Sequence, residues 1–214
     1  MANEQNQGIY DTTVATPILW TDTLFSPKAF KDEKTGKEKG DPKYSAVVLF
    51  KADHPDVAAI KAKMAAVARA MWPDVDLKTI SFPLKSGTKD NEKRVAKGKK
   101  ARDFMEGQVF ITGRSKYAPR LSGIENGKIT DYEGAALLQA KSKFYGGVEC
   151  LVEFNFVANE VDDKRSVTAY LNLVFSTGKG KRIGGGKSGA ETFKGYVGQP
   201  TTENPTELDD EIPF

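Results

Sequence analysis

The sequence predicts a predominantly β fold with one main helix, arranged as a small barrel. Several runs alternate apolar and polar residues over the length of a strand, and only one long stretch repeats its apolar residues at helical spacing. The predicted strands do not alternate with helices, as the strands of a parallel sheet with crossover helices do. About five strands are expected in all, which favours a five-stranded Greek-key barrel.

The first two predicted strands flank a charged segment. Val14–Phe25 has the composition of a strand, and Pro17 interrupts it. Lys28–Lys43 is almost entirely polar and is interpreted as a loop. Tyr44–Lys51 is a compact β-branched run and is predicted to be the second strand.

The one clear helix follows the second strand. Asp53 is the predicted N-cap, Pro55 fits the first turn, and Pro73 ends the helix. The only histidine, His54, is interpreted as a capping or loop residue at the start of this helix. Apolar residues at helical spacing predict one buried face, formed by Val57, Ile60, Met64, Val67, Ala68 and Met71.

Three further strands are predicted in the second half of the chain. Gly107–Tyr117 alternates, with Val109 and Ile111 on one face. Gly147–Val161 and Arg165–Thr177 flank the short turn 162–164, which is typical of a hairpin. In the last strand an apolar row is predicted to oppose a polar row, Val167, Ala169, Leu171, Leu173 and Phe175 against Thr168, Tyr170 and Asn172.

Charge divides the chain into a basic body and an acidic tail. Residues 199–214 contain five acids and no base, so that removing them from the net charge of +3 leaves +8 on residues 1–198. From Gly178 onward the glycines predict flexible chain. We therefore expect one domain, residues 1–198, with a basic loop at 85–102, followed by a disordered acidic tail at 199–214. Such a body favours polyanions.

The composition excludes several classes of enzyme. With one histidine and one cysteine there is no Cys/His zinc site, no Cys–His dyad and little room for a Ser–His–Asp triad. Cys150, Trp20 and Trp72 are expected in the core. Asp56 and Asp76 loosely match the acids of a metal-dependent nuclease, and this stays a distant alternative. We otherwise expect no catalysis, no cofactor and no metal. No apolar run is long enough to span a membrane, and a cytosolic protein is expected.

Basic residues interleaved with aromatic residues predict binding of single-stranded nucleic acid. Basic side chains neutralise phosphates, and aromatic faces stack on unpaired bases. Residues 85–102 alone hold eight bases against two acids. Together with a small barrel, this pattern is typical of an oligonucleotide-binding (OB) fold. The candidate binding residues are Lys43, Tyr44, Lys85, Lys89, Lys93, Arg94, Lys97, Lys99, Lys100, Arg102, Phe110, Arg114, Lys116, Tyr117, Arg120, Lys143, Tyr145, Tyr170, Lys179, Lys181 and Arg182.

Two stretches of sequence resemble known DNA-binding proteins. The final DDEIPF resembles the acidic tip of bacterial single-stranded DNA-binding proteins. The body resembles a phage family of OB-fold single-stranded DNA-binding proteins through KYSAVVLFK, ISFPLKSGTK, GQVFITGRSKYAPRL, FYGGVECLVEFNF and SVTAYLNLVFSTGKGKRIGGG, which span residues 43–186 in order.

The resemblance implies a non-catalytic role in phage replication, recombination and repair, in the host cytoplasm. It implies that the tail binds replication or repair proteins through Asp209, Asp210, Glu211, Ile212, Pro213 and Phe214. The resemblance also implies a homodimer, because proteins of this family are often dimers. The main alternative is a recombination or strand-annealing protein that also binds duplex DNA through residues 85–102.

Overall fold

The computed structural model of the protein describes residues 8–31 and 35–184. Within these residues the chain forms ten strands and three helices. The strands are β1 (Ile9–Asp11), β2 (Thr16–Leu19), β3 (Lys28–Lys31), β4 (Glu38–Lys51), β5 (Leu84–Ser86), β6 (Gln108–Ser115), β7 (Arg120–Glu125), β8 (Lys128–Asp131), β9 (Glu149–Val161) and β10 (Lys164–Ser176). The helices are α1 (Pro55–Met71), α2 (Gly87–Ala96) and α3 (Ala135–Ala140). The predicted tail, residues 199–214, lies outside the described residues.

The strands form one mixed sheet. Neighbours run in the order β5–β6–β4–β2–β9–β10–β7–β8, with β1 added to β9 and β3 added to β4. Only β7 and β10 pair in parallel among the described strands. The ladder does not close, but a bridge between Ser81 and Ser166 joins the segment before β5 to β10. The predominantly β prediction is confirmed. Additional strands such as β1, β3, β5 and β8 have only three or four residues, too few to show a period of two.

Helix α1 has the predicted bounds but a different cap. His54, not Asp53, is the N-cap, and its Nδ1 accepts a hydrogen bond from the backbone N–H of Asp56 at 3.3 Å. The interpretation of His54 as a capping residue is therefore confirmed. The predicted buried face holds in part, because Met71 is 59% exposed while Val57, Ile60, Met64 and Ala68 lie in the core.

Two hydrophobic clusters lie on opposite sides of β4 and β6. The main core contains Phe50, Phe154 and Phe156 together with the buried face of α1. Trp72 and Cys150 belong to it as expected, and burial raises the pKa of the Cys150 thiol. A smaller group, called here the outer cluster, lies on the other side and comprises Leu19, Val47, Leu49, Met105 and Phe110.

Two of the segments predicted to be loops contain regular secondary structure. Lys28–Lys43 contains β3 and the first part of β4, which pair as a hairpin. Residues 85–102 contain helix α2, whose N-cap Ser86 accepts a hydrogen bond from the N–H of Lys89 at 3.3 Å. The glycine-rich segment 178–184 lies against the residues before β9, and the N–H of Glu149 donates to Lys179 at 2.8 Å. The loop predictions for 28–43 and 85–102 are wrong, because tertiary contacts stabilise a hairpin and a helix in segments that carry little apolar periodicity.

The predicted hairpin of β9 and β10 is confirmed. Its two turn residues, Asp162 and Asp163, both have positive φ, at 50° and 59°, as a two-residue type I′ turn requires. The predicted alternation of β10 fails after Leu171, because the register shifts between Leu171 and Leu173. Beyond this bulge Val174 is fully buried, and Leu173 and Phe175 change sides of the sheet.

Candidate nucleic-acid interface

A cleft with basic side chains lies on the outer side of β3, β4 and β6. In the ladder Lys28 pairs with Lys43, and Ser45 pairs with Arg114. Because side chains two residues apart share a face, Lys43 and Ser45 point to the same side as Arg114. The cleft has a volume of about 280 Å³ and is lined by Lys28, Ala29, Gly40, Asp41, Lys43, Ser45 and Arg114.

A second cleft adjoins the first at Arg114. It occupies the seam where the sheet does not close, between β6 and β10, and has a volume of about 230 Å³. Its lining is Ser81, Phe82, Pro83, Lys85, Thr112, Arg114, Val167, Thr168 and Ala169. We call the two parts together the basic cleft. In the described part of the chain, Lys43, Lys85 and Arg114 form no ion pair within 4 Å.

Helix α2 presents the densest group of predicted bases. Lys89, Lys93 and Lys97 are exposed and recur every four residues, so they share one side of the helix and its C-cap. Asn91 fixes the helix to the chain beyond it, because its side chain accepts from the N–H of Arg102 at 2.9 Å and donates to the carbonyl of Arg102 at 3.0 Å. Lys99 and Lys100 are also exposed. Arg94 instead donates to the carbonyl oxygen of Lys100 from two guanidinium nitrogens.

The prediction that Phe110 stacks on a base is wrong. Phe110 shares a face of β6 with Arg114, as the alternation indicated, but it is only 7% exposed. The turn Asp103–Met105 covers this part of the sheet, and Met105 packs beside Phe110 in the outer cluster. No sequence pattern predicts this cover, because Phe104 and Met105 lie in a charged stretch without strand or helix periodicity.

Trp20 was expected in the core and is instead exposed. Its side chain is 43% exposed and carries the guanidinium of Arg102 over its ring, 4.7 Å from the ring centroid. Burial lowers the pKa of Arg102, and the positive charge of Arg94 lowers it further. Trp20 and Arg102 are distant along the chain, so no sequence signal links them. The packing of Leu19 and Met105 in the outer cluster brings their segments together.

The predicted tyrosines lie in different surroundings. Tyr117 is 77% exposed. Tyr170 is half-buried and lies on the same face of β10 as Thr168, which lines the basic cleft. Tyr44 is half-buried on the face of β4 opposite to Lys43. Tyr145 donates from its hydroxyl to the carbonyl oxygen of Gly180 at 2.9 Å.

The remaining basic candidates separate into exposed and paired groups. Arg182 lies over the ring of Tyr145, 4.6 Å from its centroid. Arg120 is paired with Glu153 at 3.4 Å, and the Nζ of Lys143 is 2.5 Å from the Oε1 of Glu125. The bond to Glu125 raises the pKa of Lys143. The structure brings neither of these paired cations to the basic cleft. Lys116, Lys179 and Lys181 are exposed.

The two acids of the nuclease alternative have structural roles. Asp56 is 2% exposed and accepts hydrogen bonds from the side chains of Tyr10 and Thr13 and from the backbone N–H groups of Thr13 and Val14. Asp76 caps a short turn by accepting from the N–H of Lys78 at 3.0 Å. Among the described residues, no group of three or more His, Cys, Asp or Glu side chains is placed to hold a metal ion. No helix there is long and apolar enough to cross a membrane.

The partner-binding residues predicted in the tail, Asp209 to Phe214, lie outside the described residues.

One family model matches most of the chain. The family model described as Enterobacter phage Enc34, ssDNA-binding protein, matches residues 20–207. The solved structure of the bacteriophage Enc34 single-stranded DNA-binding protein in complex with ssDNA has a TM-score of 0.59 and 16% identity, covering 86% of this chain and 97% of that chain. The same protein described without ssDNA has a TM-score of 0.57 and 16% identity, covering 89% and 94%. No curated protein matches significantly. At these identities the solved structures show that the fold is shared.

Proposed function

The chain belongs to the family of the Enterobacter phage Enc34 ssDNA-binding protein, and we propose that it binds single-stranded DNA without sequence preference along the basic cleft. The observation that carries the proposal is Arg114, which lines both parts of the cleft and has no acidic partner within 4 Å among the described residues. A solved structure with the same fold is a complex of the Enc34 protein with ssDNA.

The arrangement of cations in the cleft favours an anionic ligand. Lys28 and Lys43 lie directly opposite each other in the ladder of β3 and β4. Like charges in this position destabilise a sheet, and a bound phosphate relieves their repulsion. Among the described residues, Asp41 is the one carboxylate in the lining of either part, and it forms no ion pair with Lys28 or Lys43. The cleft therefore keeps a positive charge that a phosphate backbone can neutralise.

The surroundings of the cleft favour a single strand over a duplex. Phe82 lines the seam between β6 and β10, and Tyr170 lies on the same face of β10 as Thr168. Aromatic side chains stack on unpaired bases of any sequence, whereas the bases of a duplex are already stacked on each other. No sequence preference is expected, because stacking and phosphate contacts read no base edges.

Helix α2 supports a second candidate function, the binding of duplex DNA during recombination or annealing. Its exposed row Lys89, Lys93 and Lys97 is held on a rigid element by Asn91. A row of cations on a helix neutralises the phosphates of either form of DNA, since those contacts do not depend on unpaired bases. Duplex affinity that depends on these three lysines and not on Arg114 would favour this candidate.

The finer roles also form part of the proposal. The protein acts without catalysis in phage DNA replication and recombination in the host cytoplasm, and its tail recruits other replication or repair proteins. Pro213 disfavours helix and strand, so that Ile212 and Phe214 can enter an apolar pocket of a partner while the neighbouring acids guide its approach. Because the body carries +8 and the tail −5, the free tail also competes with DNA for the basic surface.

The test is binding of fluorescent oligo-dT and of a matched duplex to the full chain and to residues 1–198, from low to moderate salt. We expect salt-sensitive binding of the single strand that strengthens when the tail is removed. Binding of the duplex as tight as that of oligo-dT would overturn the preference for single strands and favour the second candidate. Affinities that are equal in the full chain and in residues 1–198 would overturn the competition by the tail.

A further inference from the structure

The position of Trp20 is unusual for a tryptophan. It follows β2 in the left-handed region, with φ at 55° and ψ at 44°, where residues other than glycine are strained. Its side chain is nevertheless 43% exposed, although most of a tryptophan is normally buried. Backbone strain that holds an aromatic ring at the surface points to a function for the ring.

Arg102 is held in place next to this ring. Its guanidinium carbon lies 4.7 Å from the centroid of Trp20. Asn91 is 5% exposed and bonds both the N–H and the carbonyl of Arg102, so that the backbone carrying the guanidinium is fixed to helix α2. The pair therefore presents a flat cation stacked on a flat aromatic ring at a defined place on the surface.

Trp20 adjoins the basic cleft through Thr23. The Oγ1 of Thr23 lies 2.8 Å from the carbonyl oxygen of Trp20 and also within hydrogen-bond distance of the carbonyl oxygen of Ser45, so that its one hydrogen is shared between them. Ser45 lines the cleft beside Lys43 and Arg114. A strand that leaves the cleft along β4 therefore meets the stacked pair within a few residues of Ser45.

We propose that Trp20 and Arg102 form a base-stacking site, on which an unpaired base of the DNA lies after the strand leaves the basic cleft. This inference rests on the proposed function and adds to it a defined subsite. A base extends the existing stack, while the charge of Arg102 binds the adjoining phosphate. Phosphate contacts in the cleft hold the backbone, and this pair holds a base.

The experiment uses the fluorescence of Trp20. The chain has two tryptophans, and Trp72 is buried in the core, so the variant Trp72→Phe leaves Trp20 as the single reporter. Oligo-dT is titrated into this variant while its binding is followed independently by anisotropy of labelled oligo-dT. We expect the emission of Trp20 to be quenched with the same midpoint as the anisotropy. If Trp72→Phe does not fold, the difference in quenching between the unaltered chain and Trp20→Phe gives the same information.

Affinity provides the second readout. Trp20→Leu is expected to weaken binding of oligo-dT about tenfold, within the range found for removal of one stacking aromatic side chain, and Trp20→Phe less. The control is Leu138→Ala on α3, which removes another exposed apolar side chain, 77% exposed, and is expected to change affinity less than twofold. Circular dichroism of each variant checks its folding.

The two proposals fail in different ways. If the unaltered chain does not bind oligo-dT by anisotropy, both are overturned. If it binds, but the emission of Trp20 does not change and Trp20→Leu binds like Leu138→Ala, the stacking site alone is overturned. Quenching that follows binding, together with a loss of affinity confined to the Trp20 variants, supports the stacking site.

Discussion

Two groups of cations in the described part of this protein differ in their partners. In the basic cleft Lys43, Lys85 and Arg114 form no ion pair among the described residues. On β7 and β10 and near α3, Arg120, Lys143 and Arg165 are each within 4 Å of a glutamate. The sequence shows bases in both regions. Local ion pairing, more than the number of bases, therefore distinguishes a surface available to phosphate.

The groove beside Arg120 shows the same contrast. It is lined by the apolar side chains of Leu151, Leu173 and Phe175 and by the acids Asp11, Asp131 and Glu153. In the part of the groove formed by described residues, three acids surround one base, so this surface repels a phosphate backbone. The bulge in β10 creates this apolar lining, because it turns Leu173 and Phe175 away from the core.

The largest expected effect is the loss of DNA affinity when the unpaired cations are removed together. Replacing Lys43, Lys85 and Arg114 by alanine removes three phosphate contacts, which lowers the slope of log affinity against log salt by about 2 and the affinity about 100-fold near ~0.1 M salt. Titrations of oligo-dT at several salt concentrations measure both quantities. The matched control removes the paired cations Arg120, Lys143 and Arg165. A similar loss in both triple variants would abolish the distinction between the regions.

A smaller effect is expected on folding when a buried, fully bonded acid is removed. Asp56→Ala leaves the donors of Tyr10, Thr13 and Val14 without an acceptor, and we expect a loss of about 2 kcal/mol in the free energy of unfolding. Urea denaturation measures it. None of these residues lines the basic cleft, so the folded variant should bind oligo-dT as the unaltered chain does. A loss of affinity in folded protein would contradict this separation of stability from binding.

The contribution of Asp56 also depends on pH. Burial alone would raise its pKa, but the hydrogen bonds from Thr13, Tyr10 and the backbone outweigh burial and hold the pKa below its usual range. A lowered pKa in the folded state stabilises the protein above the pKa of the unfolded carboxyl, about 3.9, and this stabilisation is lost as the pH falls through the folded value.

We therefore expect the stability difference between the unaltered chain and Asp56→Asn to be constant from about pH 7 to 5 and to shrink below about pH 4. Urea midpoints across this range measure the difference. A difference that stays constant down to pH 3 would mean that the carboxylate charge at this position does not contribute.

The smallest effect is expected from a single paired cation. Arg120 is mostly exposed in its ion pair with Glu153, so Arg120→Ala should change the free energy of unfolding by no more than about 0.5 kcal/mol and the affinity for oligo-dT by less than about twofold. Thermal unfolding and anisotropy measure the two quantities. A tenfold loss of affinity would place Arg120 in the binding surface and contradict the distinction between paired and unpaired cations.

Local signals in the sequence were sufficient for the elements that depend on neighbouring residues. Helix α1 follows from its apolar spacing and its flanking prolines, and the hairpin of β9 and β10 follows from two long alternating runs around a short turn. The cap of α1 was assigned one residue too early, since Asp53 and His54 are both side chains that can accept a hydrogen bond and only the backbone geometry distinguishes them.

The sequence predicts the chemical character of the candidate site better than it predicts which residues form it. The basic cleft contains three of the predicted basic residues, Arg114, Lys43 and Lys85. The prediction of Phe110 as a binding residue is wrong, because the turn Asp103–Met105, which shows no strand or helix periodicity in sequence, covers its side chain. Trp20 was wrongly assigned to the core, because the packing that exposes it involves Arg102, which lies far along the chain.

The amino-acid sequence alone establishes the predominantly β class, the one long helix, the separation of a basic body from an acidic tail, and the resemblance to phage single-stranded DNA-binding proteins. These follow from periodicity, composition and motifs, which are local properties. The packing of the folded chain sets which cations have acidic partners, which side of β10 faces the core beyond its bulge, and which aromatic rings reach the surface. Each of these depends on contacts between residues distant in sequence, and a change of one residue in strand register reverses the side on which every following side chain lies.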